Sequence, residues 1–360
     1  MKPRPLRVAA SRDLGPQFAD NRHRMVGQDG AFSIALDGRE TLWFFGDTLI
    51  GTRKPGESIW YIDGKPVGPR DMSGRGTFER MINNTGLLLR DRTGRDGLTD
   101  FEYITDSKGG LKTLIPLEGN EHPDRDRMWC QHGCAVGDEV FLSFIKVKML
   151  DAPGPFPVNF EIVGSGLSVG RRGVWDFKRL TRDGDSILWR ADEPHFATAF
   201  LPAGDVVYLY GTVKRGDAQQ AYLARTHHDG IGHVDRYEYF SGDDRWSAKV
   251  ADAVPLFGGM PSELSVSYNA HLGAYLAVHS LDLSGQIVGR TAPQPWGPWG
   301  APVVLWTADV PPRDKPLPYP TLIYAGKEHP TLAADGGKTI YLTYIEFEDY
   351  FPHLVEVTLQ

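Results

Sequence analysis

Asp29 and Asp47 stand near the two ends of the segment GQDGAFSIALDGRETLWFFGDTLIG (27–51). Between them an apolar run, the turn signal Asp37-Gly38-Arg39 and a second apolar run have the form of a β-hairpin. Folding about that turn sets residue 29 opposite residue 46, 47 or 48, depending on turn type. Opposed residues carry Cβ atoms about 4.5–5.5 Å apart, which makes the two carboxylates neighbours if an odd loop or a bulge turns both to one face. Gly30 and Gly46 flank the pair and leave room for a ligand to reach the backbone. Two carboxylates facing a cleft are what glycosidic cleavage requires, one protonating the leaving oxygen while the other attacks or activates water. Like charge at this spacing raises one pKa and keeps that group protonated near neutrality. The bland alternative is a turn acid at Asp29 and a loop cap at Asp47 acting through Thr48.

Other residues are candidates of lower specificity. Glu263, in PSELSVSYN, is a third carboxylate. Gln28 sits beside Asp29, and Asn83 and Asn84 open a strand that would lie next to Asp47, where an amide can bind a sugar hydroxyl. His132, His195 and His329 are either substrate-binding groups or channel histidines bonded to backbone. Their spacing is not a metal-ligand motif, and neither a metal nor another cofactor is inferred. Cys130 and Cys134, in WCQHGC, lack the further ligands that zinc needs and read as two buried thiols. Bridging them would require an irregular strand, because alternate strand residues sit too far apart. Trp296 and Trp299, in PWGPWGAPVVLW, read as packing between neighbouring elements rather than as a sugar platform. No GxGxxG, P-loop, GxSxG or HExxH pattern occurs, which removes the commonest nucleotide, serine-hydrolase and zincin readings.

Positioning these groups falls to strands. Helical periodicity is nearly absent, and five hairpin patterns recur: AFSIAL–DGRE–TLWFFG (31–46), GCAV–GD–EVFLSFIKV (133–147), HFATAFL–PAGD–VVYLYGTV (195–213), ELSVSY–NAHLG–AYLAVHS (263–280) and HPTLA–ADGG–KTIYLTYI (329–345). Each is followed by a further strand-like run, at 84–91, 160–169, 220–227, 286–292 and 353–359. Radially repeated sheets of this kind predict an all-β fold, a five-bladed β-propeller, over one domain spanning residues 1–360. LRVAAS (6–11) is expected to complete the last blade and close the ring. In each blade the first strand lies innermost and strand direction alternates, so the starts of the first strands share a face with the ends of the second. Those starts read Gln28-Asp29, Gln131-His132, Glu193 with His195, Glu263, and Glu328-His329, a polar group in every blade. The long segments after Asp47, which carry Trp60, and at 148–160 would wall the same face, where loops on a rigid scaffold commonly bind ligands.

Composition fits. Gly (41) and Pro (26) are abundant among 360 residues, as a turn-dense chain requires. A net charge of -7, from 39 basic against 46 acidic residues, argues against nucleic acid, which calls for a basic stripe. No apolar stretch approaches the roughly 18 residues that span a bilayer, so no membrane association is expected. The first residues have no apolar core of a signal peptide, which points to the cytoplasm unless a leader is removed from the mature protein. No protein partner is inferred.

The segment 27–51, with NNTGLLL, SYNAHLGAYLAVHS, PWGPWGAPVVLW and EHPTLAADGGKTIYLTYI, resembles the propeller family of endo-D-arabinanases, glycoside hydrolase family 183, over nearly the full length. The resemblance implies hydrolysis of α-D-arabinofuranosyl linkages, with Asp29 and Asp47 matching that family's essential acidic pair. Analogy with other five-bladed glycosidases implies Asp29 as base or nucleophile and Asp47 as acid. Such enzymes are typically exported, so an oligosaccharide or another furanoside is the alternative to a cell-wall polymer. A non-catalytic carbohydrate-binding propeller would need no carboxylate pair with separated pKa values. A propeller phosphorylase would need a basic phosphate cluster.

Overall fold

Runs with period-two apolar patterning pair into antiparallel sheets arranged as five blades in chain order. The computed structural model describes residues 3–36, 40–53, 58–62, 65–66, 78–150, 156–259, 261–310 and 316–360. The turn Asp37-Gly38-Arg39 and parts of the two long segments fall outside them. Blade one has an inner strand in two pieces, Met25–Gln28 and Phe32–Ala35, a second strand in two pieces, Thr41–Phe45 and Thr48–Gly51, and a third, Phe78–Ile82 and Thr85–Leu89. Blade two is built on Asp126–Val136, Glu139–Met149 and Phe160–Arg171, and blade three on His195–Ala203, Val206–Arg215 and Ala218–His227. Blade four comprises Leu264–Asn269, Ala274–Leu281, Gln286–Ala292 and Val303–Thr307. In blade five Ile323–Glu328, Thr339–Glu346 and Pro352–Leu359 are completed by Val8–Pro16. The N-terminal strand therefore closes the ring, Val8 pairing with Leu359 and Ser11 with Val357.

The ring is held by apolar layers between neighbouring blades. Phe32 and Phe44 of blade one face Met128 and Phe144 of blade two, and Phe141 and Leu167 of blade two face Phe200 and Leu209 of blade three. Tyr210 and Leu223 meet Leu264 and Val266, Leu276 and Val278 meet Leu342 and Val355, and Tyr341 and Leu354 return to Trp43 and Leu87. Each buried side chain of this size contributes roughly 1.5–3 kcal/mol from area removed from water. Trp296 and Trp299 join the layer between blades three and four, 6.1 Å from Tyr208 and 5.4 Å from Phe257. Among the described residues no helix is long and apolar enough to cross a membrane.

Two hairpins differ from the sequence reading. In blade five HPTLA is not a strand: residues Pro330–Leu332 form a short 3-10 turn, because Pro330 cannot donate to a ladder. The inner strand is the preceding Ile323–Glu328, so Glu328 and His329 stand at its far end rather than at its start. In blade two the inner strand begins at Asp126, and Gln131-His132 occupy a register shift between Cys130 and Gly133.

The shifts follow a pattern. The inner strands of blades one, two, three and five all break register, between Met25 and Gly27, Cys130 and Gly133, His195 and Ala199, and Tyr324 and Lys327. Ala325, within the last of these shifts, and Ala31, in the gap between the two pieces of the blade-one inner strand, lie in the left-handed region at φ 59° and 56°, which costs an alanine on the order of 1–2 kcal/mol. Backbone held in such conformations concentrates at functional sites, where it re-aims side chains.

Candidate active site

The break in blade one sets the two aspartates side by side. The Asp29 N–H donates to the Asp47 carbonyl at 3.3 Å, and the Gly46 N–H donates to the Asp29 carbonyl at 3.0 Å. The left-handed Gly30 (φ 81°) makes the turn between the two pieces of the inner strand. Gly46 has a different use from the one its position suggested. A Cβ there would lie 2.5 Å from Asp29 Oδ1, so its bare Cα makes room for the Asp29 carboxylate itself.

The surroundings of the two carboxylates differ. Asp29 Oδ2 accepts hydrogen bonds from the Tyr324 hydroxyl at 2.9 Å and the Tyr350 hydroxyl at 3.0 Å. Burial pushes the Asp29 pKa up to about 6, opposed by these two donors and by Lys327. Asp47, 5% exposed, has no hydrogen-bond partner at Oδ1 among the described residues, and Arg127 Nε stands 3.7 Å away. Burial pushes its pKa up to about 7; Arg127 opposes the rise, the neighbouring Asp29 charge adds to it, and Trp129 opposes it. Two hydroxyl donors favour the anion at Asp29, whereas Asp47 has no such donors among the described residues and burial favours its protonated form.

Glu263 is the third acid. It stands at the head of the blade-four inner strand, where burial pushes its pKa up to about 7 against the pull of Lys327. Lys327 lies 3.9 Å from Glu263 Oε1 and over the Phe32 ring at 4.2 Å, donating to the carbonyls of Gly30 and Ala325. Burial lowers the Lys327 pKa to about 8, while Glu263 and Asp29 hold it up. One buried ammonium thus faces two acids and fixes the two left-turning inner strands.

These groups floor a cavity of about 350 Å³. Asp29, Asp47 and Glu263 line it, together with Arg127, Tyr324 and Tyr350. Trp60 lines it as well, its indole N–H donating to the Phe347 carbonyl at 2.7 Å and its ring stacked on Phe347 at 5.0 Å. Blades one, two, four and five contribute lining residues.

The other sequence candidates are placed elsewhere. Asn84 is fully buried as a four-way tie, donating to the carbonyls of Ile115 and Met128 and accepting from the N–H groups of Leu114 and Ile115. Asn83 Oδ1 accepts from the Met128 N–H at 3.3 Å. Gln28 is fully buried and accepts from the Tyr103 hydroxyl. His329 is fully buried below the site, stacked on Trp43 at 4.0 Å and bonded to Ser33 and Thr343 at 2.7 Å each. His132 lies between Phe32 and Phe200, burial lowering its pKa to about 4. His195 is buried in blade three, away from the cavity lining. Cys130 and Cys134 are free, buried thiols in two different inter-blade layers.

Five contributors escaped the sequence reading: Arg127, Trp129, Tyr324, Tyr350 and Lys327. Four of the misses, Tyr324, Lys327, Arg127 and Trp129, follow from the misplaced inner strands. Had LIYAGKE (322–328) been taken as the blade-five inner strand, Tyr324 would have stood at the level of Asp29. Extending the blade-two strand back to Asp126 would likewise have raised Arg127 and Trp129. Tyr350 left one indirect signal, Gly27, where a Cβ would come within 3.0 Å of the tyrosine ring.

The chain belongs to the DUF4185 family, described as a domain of unknown function, whose sequence model matches residues 15–356. Among curated proteins none matches it by sequence. Its fold is similar to that of a protein from Bacteroides ovatus described provisionally as a hydrolase, with a TM-score of 0.60 and 16% identity over 96% of this chain and 87% of that one. It is also similar to a family 117 glycoside hydrolase from Zobellia galactanivorans, with a TM-score of 0.50 and 10% identity over 97% and 89% of the two chains.

Proposed function

We propose that this protein is a glycoside hydrolase that cleaves furanosidic linkages, with α-D-arabinofuranosides as its substrate class. The observation that carries the reading is the unequal pair on blade one: Asp29 held as an anion by two tyrosine hydroxyls, and Asp47 buried with no hydrogen-bond partner at Oδ1 among the described residues and Arg127 Nε 3.7 Å away. Asp47 gives its proton to the leaving oxygen as the C1–O bond breaks. Asp29 either attacks C1 to form a glycosyl ester, which water then hydrolyses as the Asp47 carboxylate takes the proton, or itself takes a proton from the water that adds at C1; either way one water is consumed and the products are the free sugar and an alcohol. Glu263 and Lys327 complete the charge around the reacting centre. The fold shared with a family 117 glycoside hydrolase supports the hydrolase class, and the resemblance of segment 27–51 to glycoside hydrolase family 183 supports the sugar.

The test is sugar release from arabinans and aryl α-D-arabinofuranosides by the wild type and by Asp29→Asn and Asp47→Asn. We expect release by the wild type, a loss of at least about 10³-fold for Asp29→Asn on every substrate, and for Asp47→Asn a loss of that size on arabinans, whose poor leaving group needs the proton. No release by the wild type, or full activity in both folded variants, would refute the proposal.

A further inference from the structure

Seven large apolar side chains are exposed among the described residues, and three of them, Phe160 (40%), Ile162 (37%) and Leu283 (52%), line the cavity above the carboxylates. Isolated exposed apolar groups are ordinary, but a cluster at the mouth of a site marks what enters it. Leu283 follows the second strand of blade four, and the side on which Phe160 and Ile162 lie is informative. A general acid stands beside the leaving oxygen, so the leaving group of a bound glycoside extends on the Asp47 side. There Asp47 meets Arg127 and Trp129 of blade two, and the Trp129 ring touches Phe160 edge-to-face at 4.8 Å. Ile145, Met149 and Ile162 continue this wall outward. These five side chains carry a single nitrogen or oxygen atom, the Trp129 indole N–H, which lies against Asp47.

We propose that this blade-two wall is a leaving-group subsite for an apolar aglycone, an alkyl or aryl alcohol rather than a further sugar. The inference rests on the glycosidase reading above and deepens it. Arg127 and Gln131 are the polar blade-two groups of the cavity lining; over the five side chains themselves a sugar would bury hydroxyls without partners, at about 1–3 kcal/mol each, whereas each buried methylene gains roughly 0.8 kcal/mol. Phe160 and Ile162, the first residues of the blade-two third strand, project where such a chain would run.

Methyl, butyl and octyl α-D-arabinofuranoside measure the subsite by kcat/KM, with an arabinofuranosyl disaccharide for comparison. We expect a rise of at least about 30-fold from methyl to octyl, since less than half of the added methylenes need be buried at roughly fourfold each. The octyl-to-methyl ratio should fall at least fivefold in Phe160→Ser and in Ile162→Ser. A ratio near one, or a disaccharide preferred over the octyl glycoside, overturns the subsite. Calorimetry of octyl and methyl 1-thio-α-D-arabinofuranoside on Asp47→Asn separates this from the catalytic reading. Octyl-selective binding with negative ΔCp, lost in the Phe160→Ser double variant, supports the subsite even if no furanoside is hydrolysed. Equal binding of the two probes overturns it even if hydrolysis occurs.

Discussion

Asp47 combines a full role in the proposed chemistry with a stability penalty. In an unfolded chain an aspartate titrates near ~3.9, whereas burial raises Asp47 to about 7. Between those values the native state binds the extra proton, so Asp47 makes the fold less stable as pH rises through the window. We therefore expect inactive Asp47→Asn to melt a few degrees above the wild type at pH 8 and to lose that advantage at pH 4, by scanning calorimetry. Activity should follow a bell. The acidic limb, near pH 6, reflects protonation of Asp29, and the basic limb, near pH 7, loss of the Asp47 proton. Because the carboxylates interact, the two apparent values belong to the pair. Gly46→Ala should cut kcat/KM at least tenfold with little change in melting temperature, since its Cβ collides with the movable Asp29 carboxylate rather than with backbone.

Strands and their interruptions decide which of the sequence candidates reach the cavity. Pairing of Asp29 with Asp47 was legible because hairpin register follows from two apolar runs and a turn. Five third strands were legible for the same reason, each being an alternating run after a hairpin. Histidines and asparagines misled because type and proximity to a strand start do not reveal which way a side chain turns at a register shift. A one-residue slip moves a side chain to the opposite face. Asn84 illustrates the cost of that ambiguity: a polar residue beside the site, yet committed to four backbone groups that join blade one to the Ile115 segment and to blade two. Asn84→Ala should lower stability by about 2–4 kcal/mol through unpaired buried groups, read as a drop in denaturant midpoint, while KM stays within a factor of two. A raised KM with unchanged stability would restore it as a sugar-binding group.

Closure of the ring by Val8–Pro16 ties the N-terminal strand to the blade that carries Tyr324, Lys327 and Tyr350. Part of the clasp is polar: Asp13 accepts from the Tyr344 hydroxyl at 2.6 Å and pairs with His353 at 3.4 Å. Burial works against charging His353, but its hydrogen bonds to Asp13 and Asp349 prevail and raise its pKa to about 9. A raised histidine stabilises fully below its unfolded pKa of about 6.5 and loses that contribution as pH climbs through 9. The melting-temperature gap between the wild type and His353→Gln should accordingly be widest at pH 6 and vanish above pH 9. For the proposed hydrolysis the ring as a whole would hold Asp47 as acid and Asp29 as base beside one cavity. The most direct measurement of that division of labour is the dependence of kcat/KM on leaving-group pKa for wild type, Asp47→Asn and Glu263→Gln with aryl and alkyl α-D-arabinofuranosides. Asp47→Asn should hydrolyse 4-nitrophenyl furanoside with a small loss and the alkyl glycosides with a loss of at least about 10³-fold, because only the poor leaving group needs the proton. An equal loss across all leaving groups in Asp47→Asn, or the steep dependence appearing in Glu263→Gln instead, would contradict the assignment of Asp47 as the acid.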